Sequence, residues 1–451
     1  MVHTFTFHYK SKPFHFLWDI ESGSLHHVDY AAFLCAKERF GLEKNEKEQA
    51  DYTAIPIVEK NEIMTELDTL VAEGSLDAPH PLQKFHKNTA LVKALCLHIC
   101  HDCNMCCDYC FASGGTYNTA KDYMSYETGR QAIDFLLKNS GARHNLEVDF
   151  FGGEPLLNFE VVKQIVTYSQ KRAAQLGKEI LFTLTTNCLG LNQDIINYLN
   201  ENMENVVLSV DGRKETHNGV RHSKSGKDVY DKILQSVKDF RKVRGNKKYY
   251  VRGTFTADNL DFADDIFYLN DQGFDQISLE PVVLPLDHPL AITEAHVETI
   301  CKEYERLAEG YIDRRKTEKW FNFFHFMMDL EHGPCINKRL TGCGAGTEYL
   351  AVSPTGDLYP CHQFVGEQEY YLGNVVEGIL YPEIREKFAC TSVLDKEHCK
   401  DCPAKYYCGG GCSANAKHFT GSIAGQYKVG CELIRKRLEL SLAIACIESL
   451  E

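Results

Sequence analysis

The chain has 451 residues, of which 44% are hydrophobic and 25% charged, and this composition is ordinary for a globular protein of about two to four domains. Its net charge of -14 argues against a nucleic-acid partner, because phosphates require clustered Lys and Arg, and fits a small ligand or a basic peptide segment. No apolar run is long enough for a signal peptide or a membrane span, so we expect a cytoplasmic protein with reduced thiols.

Nineteen residues are cysteines, and most of them lie in two dense groups. In a reducing compartment, grouped cysteines are more often metal ligands or catalytic groups than disulfide partners. We expect the isolated cysteines to be small buried hydrophobic residues. These isolated cysteines are Cys35, Cys188, Cys301, Cys390 and Cys446.

The first predicted domain covers residues 1–85 and combines short strands with helices. Apolar alternation predicts strands at Thr4–Tyr9, Phe14–Trp18 and Leu25–Val28, and helical patterns follow at Tyr30–Phe40 and Glu59–Glu73. This arrangement resembles a winged-helix module. The stretch Ala78–Lys87, with two prolines, is predicted to be a linker.

The second predicted domain covers residues 90–315, where strands alternate with helices. The predicted strands are Val92–His98, Leu146–Phe151, Ile180–Thr186, Val206–Val210, Tyr250–Phe255 and Ile277–Val283. Amphipathic helices such as Tyr126–Leu137, Phe159–Ala174 and Val229–Val243 lie between them. Six βα units favour an α/β fold with a partial, laterally open (βα)6 TIM-like barrel, and a doubly wound sheet is the alternative. In both, ligands bind at the carboxyl ends of the strands.

The third predicted domain covers residues 330–451 and is rich in Cys, Gly and Pro. Such a segment builds an apolar core with difficulty, so we expect metal to organise it. A final amphipathic helix, Cys431–Leu450, is predicted to pack back on the barrel.

The first cysteine group follows the first strand of the second domain. Cys103, Cys107 and Cys110 have the spacing C-x3-C-x2-C. Three thiolates on an iron–sulfur cubane leave one iron open, whereas an electron carrier usually supplies four. The alternative is a zinc site, with His101 or Cys106 as the fourth ligand.

This motif resembles that of the radical S-adenosylmethionine superfamily. The resemblance includes Tyr109, just before the last cysteine, and the turn FFGGEP with Gly152, Gly153 and Glu154 at the end of the second strand. It implies that the three cysteines hold a catalytic 4Fe–4S cluster and that the turn binds the methionyl amino group of S-adenosyl-L-methionine. That cofactor would then yield a 5′-deoxyadenosyl radical, which abstracts hydrogen from the substrate.

The resemblance also implies further cofactor contacts at the strand ends. Ser209 and Asp211 match positions that contact the ribose, and Arg252 matches a residue that pairs with the cofactor carboxylate. Thr185 and Asn187 are weaker candidates. The alternatives are turn capping for Asn187 and Asp211 and a surface ion pair for Arg252.

The second cysteine group has the order C-x12-G-x4-C … C-x2-C-x5-C-x3-C … C. A lone C-x2-C is compatible with a zinc ribbon, but seven cysteines in this order resemble the SPASM extension, which carries two auxiliary 4Fe–4S clusters. The resemblance assigns the outer cluster to Cys399, Cys402, Cys408 and Cys431, and the inner cluster to Cys343, Cys361 and Cys412. Either Cys335 or a substrate thiolate would complete the inner site.

As a whole, the chain resembles the SPASM-domain maturases of the six-cysteines-in-forty-five-residues peptides, most closely at CGAGTEYLAVSPTGDLYPCHQFVG. The resemblance implies three 4Fe–4S clusters, an amino-terminal module that binds a precursor peptide through its leader, and a flavodoxin or ferredoxin as electron donor. The implied product is a thioether between a cysteine sulfur and the α-carbon of another residue, such as Thr.

Other functions share parts of this pattern. A sulfatase-maturating formylglycine-forming enzyme has the same cluster plan, and a peptide epimerase or a carbon–carbon crosslinking maturase shares the first steps. A non-catalytic iron–sulfur electron carrier or scaffold is the alternative from a different class, although a three-cysteine first site and a cofactor pocket argue against it.

Overall fold

The computed structural model describes residues 1–80, 85–89, 91–330 and 335–450. Within those ranges, no helix is both long enough and apolar enough to cross a lipid bilayer. The chain begins with a three-stranded antiparallel sheet, followed by three helices. These elements are β1 (Val2–Tyr9), β2 (Lys12–Asp19), β3 (Leu25–Val28), α1 (Tyr30–Arg39), α2 (Glu46–Ala54) and α3 (Ile57–Ala72).

The amino-terminal sheet agrees with the predicted strands, but α2 was not predicted. Helix α2 has no buried residue, so it lacks the apolar periodicity that identifies a helix in sequence. A capping box between Asn45 and Glu48 defines its start. The winged-helix resemblance of this module stays a prediction.

The amino-terminal sheet is covered on both faces. Leu17 packs in a small core with residues of α1 and α3, such as Phe33 and Leu67. Phe16 and Trp18 instead belong to the main hydrophobic core of the molecule. The module is therefore packed against the rest of the chain rather than tethered to it.

The middle of the chain forms the βα units. Its strands are β4 (Ala94–Cys100), β5 (Met105–Cys107), β6 (Asn145–Gly152), β7 (Glu179–Thr186), β8 (Asn205–Ser209), β9 (Arg221–Ser223), β10 (Tyr249–Phe255), β11 (Gln276–Pro281) and β12 (Asn322–Phe323). Its helices are α4 (Tyr126–Asn139), α5 (Phe159–Gln175), α6 (Gln193–Asn202), α7 (Lys214–Val220), α8 (Tyr230–Arg244), α9 (Phe262–Asp271) and α10 (Val297–Arg315). The six predicted strands correspond to β4, β6, β7, β8, β10 and β11, whereas the short ribbon β5–β9 was missed because three-residue strands carry no period.

The main sheet has the order β12-β11-β10-β8-β7-β6-β4, and these strands are parallel. A doubly wound sheet reverses its strand order at a switch point. This sheet instead runs through the βα units in chain order, which differs from the doubly wound alternative. Chain order is the order that a partial barrel requires. The curvature that would make the sheet a barrel stays a prediction.

The last part of the chain continues this sheet and then forms a lobe. Its strands are β13 (Tyr349–Val352), β14 (Asp357–Tyr359), β15 (Gly373–Asn374) and β16 (Gly378–Ile379). Its helices are α11 (Ile336–Thr341), α12 (Pro382–Ala389), α13 (Lys405–Cys408), α14 (Ser413–Thr420) and α15 (Lys428–Ser449). Strand β13 pairs in parallel with β4. As predicted, the final helix packs back, with α15 against α10 and Lys436 bonded to Glu305 at 2.8 Å.

Candidate functional site

A cavity of about 440 Å³ lies at the carboxyl ends of the parallel strands. It brings together most of the residues that the sequence singled out as cofactor or cluster contacts. The predicted residues that line it are Cys103, Cys107, Tyr109, Cys110, Gly152, Gly153, Glu154, Thr185, Asn187, Ser209, Arg252 and Cys412. Since these come from separate βα units and from the carboxy-terminal lobe, the cavity exists only in the folded chain.

The glycines of the GGEP turn are required by the neighbouring cysteine loop. Gly152 has a φ of +120°, and a Cβ there would collide with the Cys100 carbonyl oxygen. A Cβ on Gly153 would collide with the carbonyl oxygen of Asp102. The backbones of the two loops therefore lie in direct contact, which only glycine permits.

The side chain of Glu154 is buried, although the residue belongs to the cavity wall. Its carboxylate accepts hydrogen bonds from the Leu156 amide (3.0 Å), the Thr186 hydroxyl (2.8 Å) and the Asn187 amide (2.7 Å). These bonds join the end of β6 to the end of β7. Glu154 thus shapes the site by holding two strand ends together.

Asp211 departs from the role that the resemblance implied. It is fully buried and does not line the cavity; instead it accepts hydrogen bonds from the Tyr109 hydroxyl (2.6 Å) and the Thr254 amide (3.1 Å). Arg221 on β9 donates to the Tyr109 oxygen at 2.8 Å and lies 3.5 Å from Asp211. Asp211 therefore supports Tyr109 and Arg221 from behind, and a direct ribose contact does not fit this placement.

Arg221 lines the cavity and was missed by sequence analysis. It is buried, and its guanidinium is the cation that balances Asp211. The ribbon β5–β9 brings it to the site, since Cys107 pairs directly with Arg221. No sequence signal marks this pairing, because the two strands are more than a hundred residues apart.

Ser209 and Arg252 both line the cavity, and the cofactor contacts that the resemblance implied for them stay a prediction. The Arg252 side chain is 51% exposed, and its guanidinium lies 3.7 Å from the Glu280 carboxylate. Glu280 also lies in the cavity wall, 3.0 Å from Nε2 of His325. Arg252 therefore pairs loosely with Glu280 in this structure, and its exposed guanidinium is accessible to a ligand carboxylate.

The three cysteines of the first group have thiols suited to binding metal. Burial raises the pKa of the Cys107 thiol to about 12 and also raises that of Cys103, so a bound cation is needed to remove their protons. The Met105 amide (3.4 Å) and the Asn187 side-chain amide (3.5 Å) donate to the Cys103 sulfur. N–H donors aimed at a sulfur stabilise a metal-bound thiolate.

The proposed fourth zinc ligands do not join this triad. The His101 ring is bonded to Thr119 (2.8 Å) and to His98 (3.1 Å), and Cys106 is exposed with its sulfur 3.6 Å from the His222 carbonyl oxygen. The three-cysteine set therefore keeps an open side that faces the cavity. That donor set fits an iron–sulfur cluster with one free iron.

The carboxy-terminal cysteines form two groups. Four of them line a separate cavity of about 320 Å³: Cys399, Cys402, Cys408 and Cys431. The other group is Cys343, Cys361 and Cys412, whose thiols are electrostatic neighbours of one another. The structure thus sorts these cysteines into the same two groups that the resemblance named, and their roles as cluster ligands stay a prediction. Cys335 is exposed just before α11.

The spacing of these thiols is wider than a single zinc ion needs. Tetrahedral zinc–thiolate bonds of about 2.3 Å place the sulfurs about 3.8 Å apart. Among the described residues, the one set of three potential ligands within 4.8 Å of one another is His86, Glu386 and Cys390. No three described thiols of these groups therefore lie as close together as a single zinc ion would hold them. Cys390 itself is exposed, so the prediction that it is a buried structural thiol is wrong.

Lys396 is a buried cation inside the cysteine-rich lobe. Its ammonium donates to the Gly410 carbonyl oxygen at 2.7 Å, and in the part of the chain that the structure describes it forms no ion pair with a carboxylate. Burial lowers the pKa of Lys396. Neighbouring thiols of both groups, including Cys399 and Cys412, oppose that shift when they are ionised. The lobe thus holds a buried amine beside thiols of both cysteine groups, which would balance a positive charge there once metal has removed their protons.

Comparison with known families places two iron–sulfur domains on this chain. A family model described as a 4Fe-4S single cluster domain matches residues 93–230, and the SPASM model, described as an iron–sulfur cluster-binding domain, matches residues 343–403. The chain is 24% identical over 366 residues to the radical SAM cyclopropyl synthase TigE of Paramaledivibacter caminithermalis, covering 76% of this chain and 72% of that protein. It is 22% identical over 335 residues to a cysteine-type anaerobic sulfatase-maturating enzyme of Clostridium novyi, covering 70% and 86%.

Two solved structures share the fold. Native anSMEcpe with bound AdoMet aligns with a TM-score of 0.67 at 20% identity, over 79% of this chain and all of that one. Streptococcus suis SuiB bound to precursor peptide SuiA aligns with a TM-score of 0.55 at 15% identity, over 92% and 96%. Fold, cysteine groups and matches together define an iron–sulfur protein of the radical S-adenosylmethionine class.

Within that class, the chain carries a SPASM iron–sulfur domain at residues 343–403, and its matches are consistent with a SPASM-domain peptide maturase. This confirms the family resemblance found in the sequence. The narrower resemblance to the maturases of six-cysteine peptides stays a prediction.

Proposed function

We propose that this protein installs an intramolecular thioether, from a cysteine sulfur to the α-carbon of a residue such as Thr, in a ribosomally made cysteine-rich precursor peptide. One observation carries the proposal: Cys412 lines the same cavity as Cys103, Cys107 and Cys110. A peptide in that cavity would touch both the radical-forming site and the inner auxiliary site. Crosslinking needs that proximity, because hydrogen abstraction and sulfur delivery occur on one substrate.

The proposal assigns S-adenosylmethionine and three 4Fe–4S clusters to this chain. When bound, the cofactor and the first cluster supply the radical that removes a hydrogen atom from the acceptor residue. Cys103, Cys107 and Cys110 hold that cluster, and the Gly152–Gly153 turn, Ser209 and Arg252 contact the cofactor. Arg252 would exchange Glu280 for the cofactor carboxylate, which a guanidinium binds through two parallel hydrogen bonds.

The auxiliary sites handle sulfur and electrons. Cys343, Cys361 and Cys412 hold the inner cluster, and its fourth position is open to a substrate thiolate; Cys335 is the alternative ligand. Metal binding removes the proton from a thiol and so presents the sulfur for bond formation. Cys399, Cys402, Cys408 and Cys431 hold the outer cluster, through which the released electron would leave. A flavodoxin or ferredoxin is the electron donor that would reduce the first cluster.

Recognition of the peptide is assigned to the amino-terminal module. Strand β3 pairs with β2 and lies at the edge of its sheet, so its outer backbone groups are available to an added strand. A leader peptide that adds there would gain backbone hydrogen bonds and side-chain specificity. The solved complex of SuiB with its precursor peptide SuiA supports a peptide substrate for this fold.

The matches also favour a second candidate, a sulfatase-maturating formylglycine-forming activity, because one relative is a cysteine-type anaerobic sulfatase-maturating enzyme. Peptide epimerisation and carbon–carbon crosslinking would use the same first site. These activities differ in what happens to the cysteine sulfur. The product therefore separates them.

The experiment is anaerobic incubation of the iron-loaded protein with S-adenosylmethionine, a reductant and a cysteine-rich precursor peptide encoded nearby, followed by mass spectrometry. We expect each crosslink to remove two hydrogens and one alkylatable thiol, and the Cys103→Ala variant to give no product. Loss of two hydrogens with all thiols still alkylated would indicate a carbon–carbon bond. An aldehyde product would indicate formylglycine, and unchanged mass with deuterium uptake would indicate epimerisation.

A further inference from the structure

The amino-terminal module meets the cysteine-rich lobe at a buried ion pair. Glu21 follows β2, and its carboxylate accepts hydrogen bonds from the Lys405 ammonium (2.6 Å) and the Tyr406 hydroxyl (2.7 Å). The side chains of Lys405 and Glu21 are only 1% and 4% exposed. Both partners of Glu21 lie in the short segment between Cys402 and Cys408.

This segment is part of the wall of the outer cysteine site. Lys405 lines the 320 Å³ cavity together with the four cysteine thiols, and its ammonium also donates to the Lys400 carbonyl oxygen at 3.0 Å. Tyr407 continues the contact, with its ring centroid 6.1 Å from that of Trp18 at the end of β2. Three consecutive residues between two candidate ligands therefore rest on β2 and on Glu21, which follows it.

The ion pair is suited to specifying position. A buried charge without its partner is strongly unfavourable, whereas a complete pair adds little to stability beyond what an apolar pair would add. The segment can therefore lie in only one place, where Lys405 meets Glu21. This constraint acts directly on the spacing of Cys402 and Cys408.

We infer that Glu21 is a positioning residue for the outer cluster, so that the amino-terminal module forms part of the outer cluster site. The inference rests on the proposed function in assigning a cluster to Cys399, Cys402, Cys408 and Cys431. It adds that this cluster cannot assemble correctly unless the module is docked. Because β2 also pairs with the edge strand β3, the predicted peptide-binding edge and the outer cluster are joined through a single strand.

The test compares full-length iron-loaded variants by iron content and by the electron paramagnetic resonance of the reduced clusters. We expect Glu21→Gln to lose the outer-cluster signal and about a third of the iron, that is, about four of twelve irons. The double variant Glu21→Met with Lys405→Met leaves no unpaired charge and should recover most of that iron. Glu38→Gln, which breaks the more exposed pair with Lys44 in the same module, should keep all of it.

The outcomes separate this inference from the proposed function. Full iron and all cluster signals in Glu21→Gln would overturn the positioning role. Loss of iron in Glu21→Gln with no recovery in the double variant would also overturn it, because charge pairing would then not be the cause. If Cys399→Ala keeps its full iron content, the assignment of the outer cluster fails instead. Far-ultraviolet circular dichroism shows whether Glu21→Gln keeps its fold.

Discussion

The first cysteine group and the later ones sit in very different surroundings. Residues 103–110 follow β4, a strand buried along its whole length in a parallel sheet between helices. The carboxy-terminal cysteines sit among strands of two to four residues and helices as short as four residues. Part of that lobe packs on a small separate core of Leu340, Val393 and Cys399. The first site thus lies at the end of a long buried strand, whereas the segment from Cys399 to Cys412 has little regular structure, although lobe residues such as Phe364 and Phe388 join the main core.

The two regions also neutralise their buried cations differently. In the first site, the protein itself provides Asp211 to balance Arg221. In the lobe, Lys405 is paired with Glu21, but Lys396 lies beside cysteine thiols and pairs with no carboxylate among the described residues. A site built at strand ends thus has its charge balance before metal binds, whereas Lys396 gains thiolate counter-charges only when metal removes the protons of the neighbouring thiols.

Metal removal should have the largest effect, and it should affect the two regions differently. We expect the chelated, iron-free protein to be cleaved by a protease at least about tenfold faster within residues 395–412 than the iron-loaded protein, because metal binding there is folding free energy. Cleavage within the β6–β8 region should stay unchanged. Limited proteolysis with peptide mapping measures both cleavage rates. An equal increase of the cleavage rate in the two regions would show that the β6–β8 region also depends on metal.

The Asp211→Asn substitution tests the charge balance of the first site. It leaves Arg221 buried without its counter-ion, so we expect the free energy of unfolding to fall by about 3 kcal/mol, whether or not iron is bound. Denaturant unfolding measures the change. Asp228→Asn is the matched control, because Asp228 is half exposed and pairs with Lys214 at the surface; it should cost less than about 1 kcal/mol. Equal losses in the two variants would contradict the proposed support of Arg221.

The Lys396→Met substitution tests the lobe and has the smallest expected effect. Removing a buried cation near anionic clusters disfavours the extra electron, so the reduction potentials of the auxiliary clusters should fall by about 60 mV, a tenfold change in the one-electron equilibrium. The first cluster should be unaffected. Redox titration followed by electron paramagnetic resonance measures this, with exposed Lys400→Met as the control. An unchanged potential in Lys396→Met would place the cation away from the clusters.

Much of the fold was predictable because its signals are local. Alternation along β6 and β7 and the helical stripe of α4 follow from one buried face, and the chain-order sheet follows from repeated βα units. The cysteine spacing identified the ligand candidates for the same reason. Helix α2 and the ribbon β5–β9 were not predicted, because neither has a buried face long enough to show a hydrophobic period in the sequence.

Site residues were harder to predict where their role depends on distant partners. Ser209 and Arg252, to which the resemblance pointed, line the cavity, whereas Asp211 does not line it and lies behind Tyr109. Arg221 and Glu280 reach the cavity through pairings that join separate units. No local pattern marks them.

By itself, the sequence determined the class of this protein, since thiol spacing and strand period are properties of neighbouring residues. Only the tertiary structure decided that Cys412 shares a cavity with Cys103, that Asp211 supports Arg221, and that Glu21 reaches Lys405. These contacts join residues that are from 10 to more than 300 positions apart along the chain. They form because burying the apolar faces brings the parallel sheet, the amino-terminal module and the lobe together, and buried charges must then meet their partners.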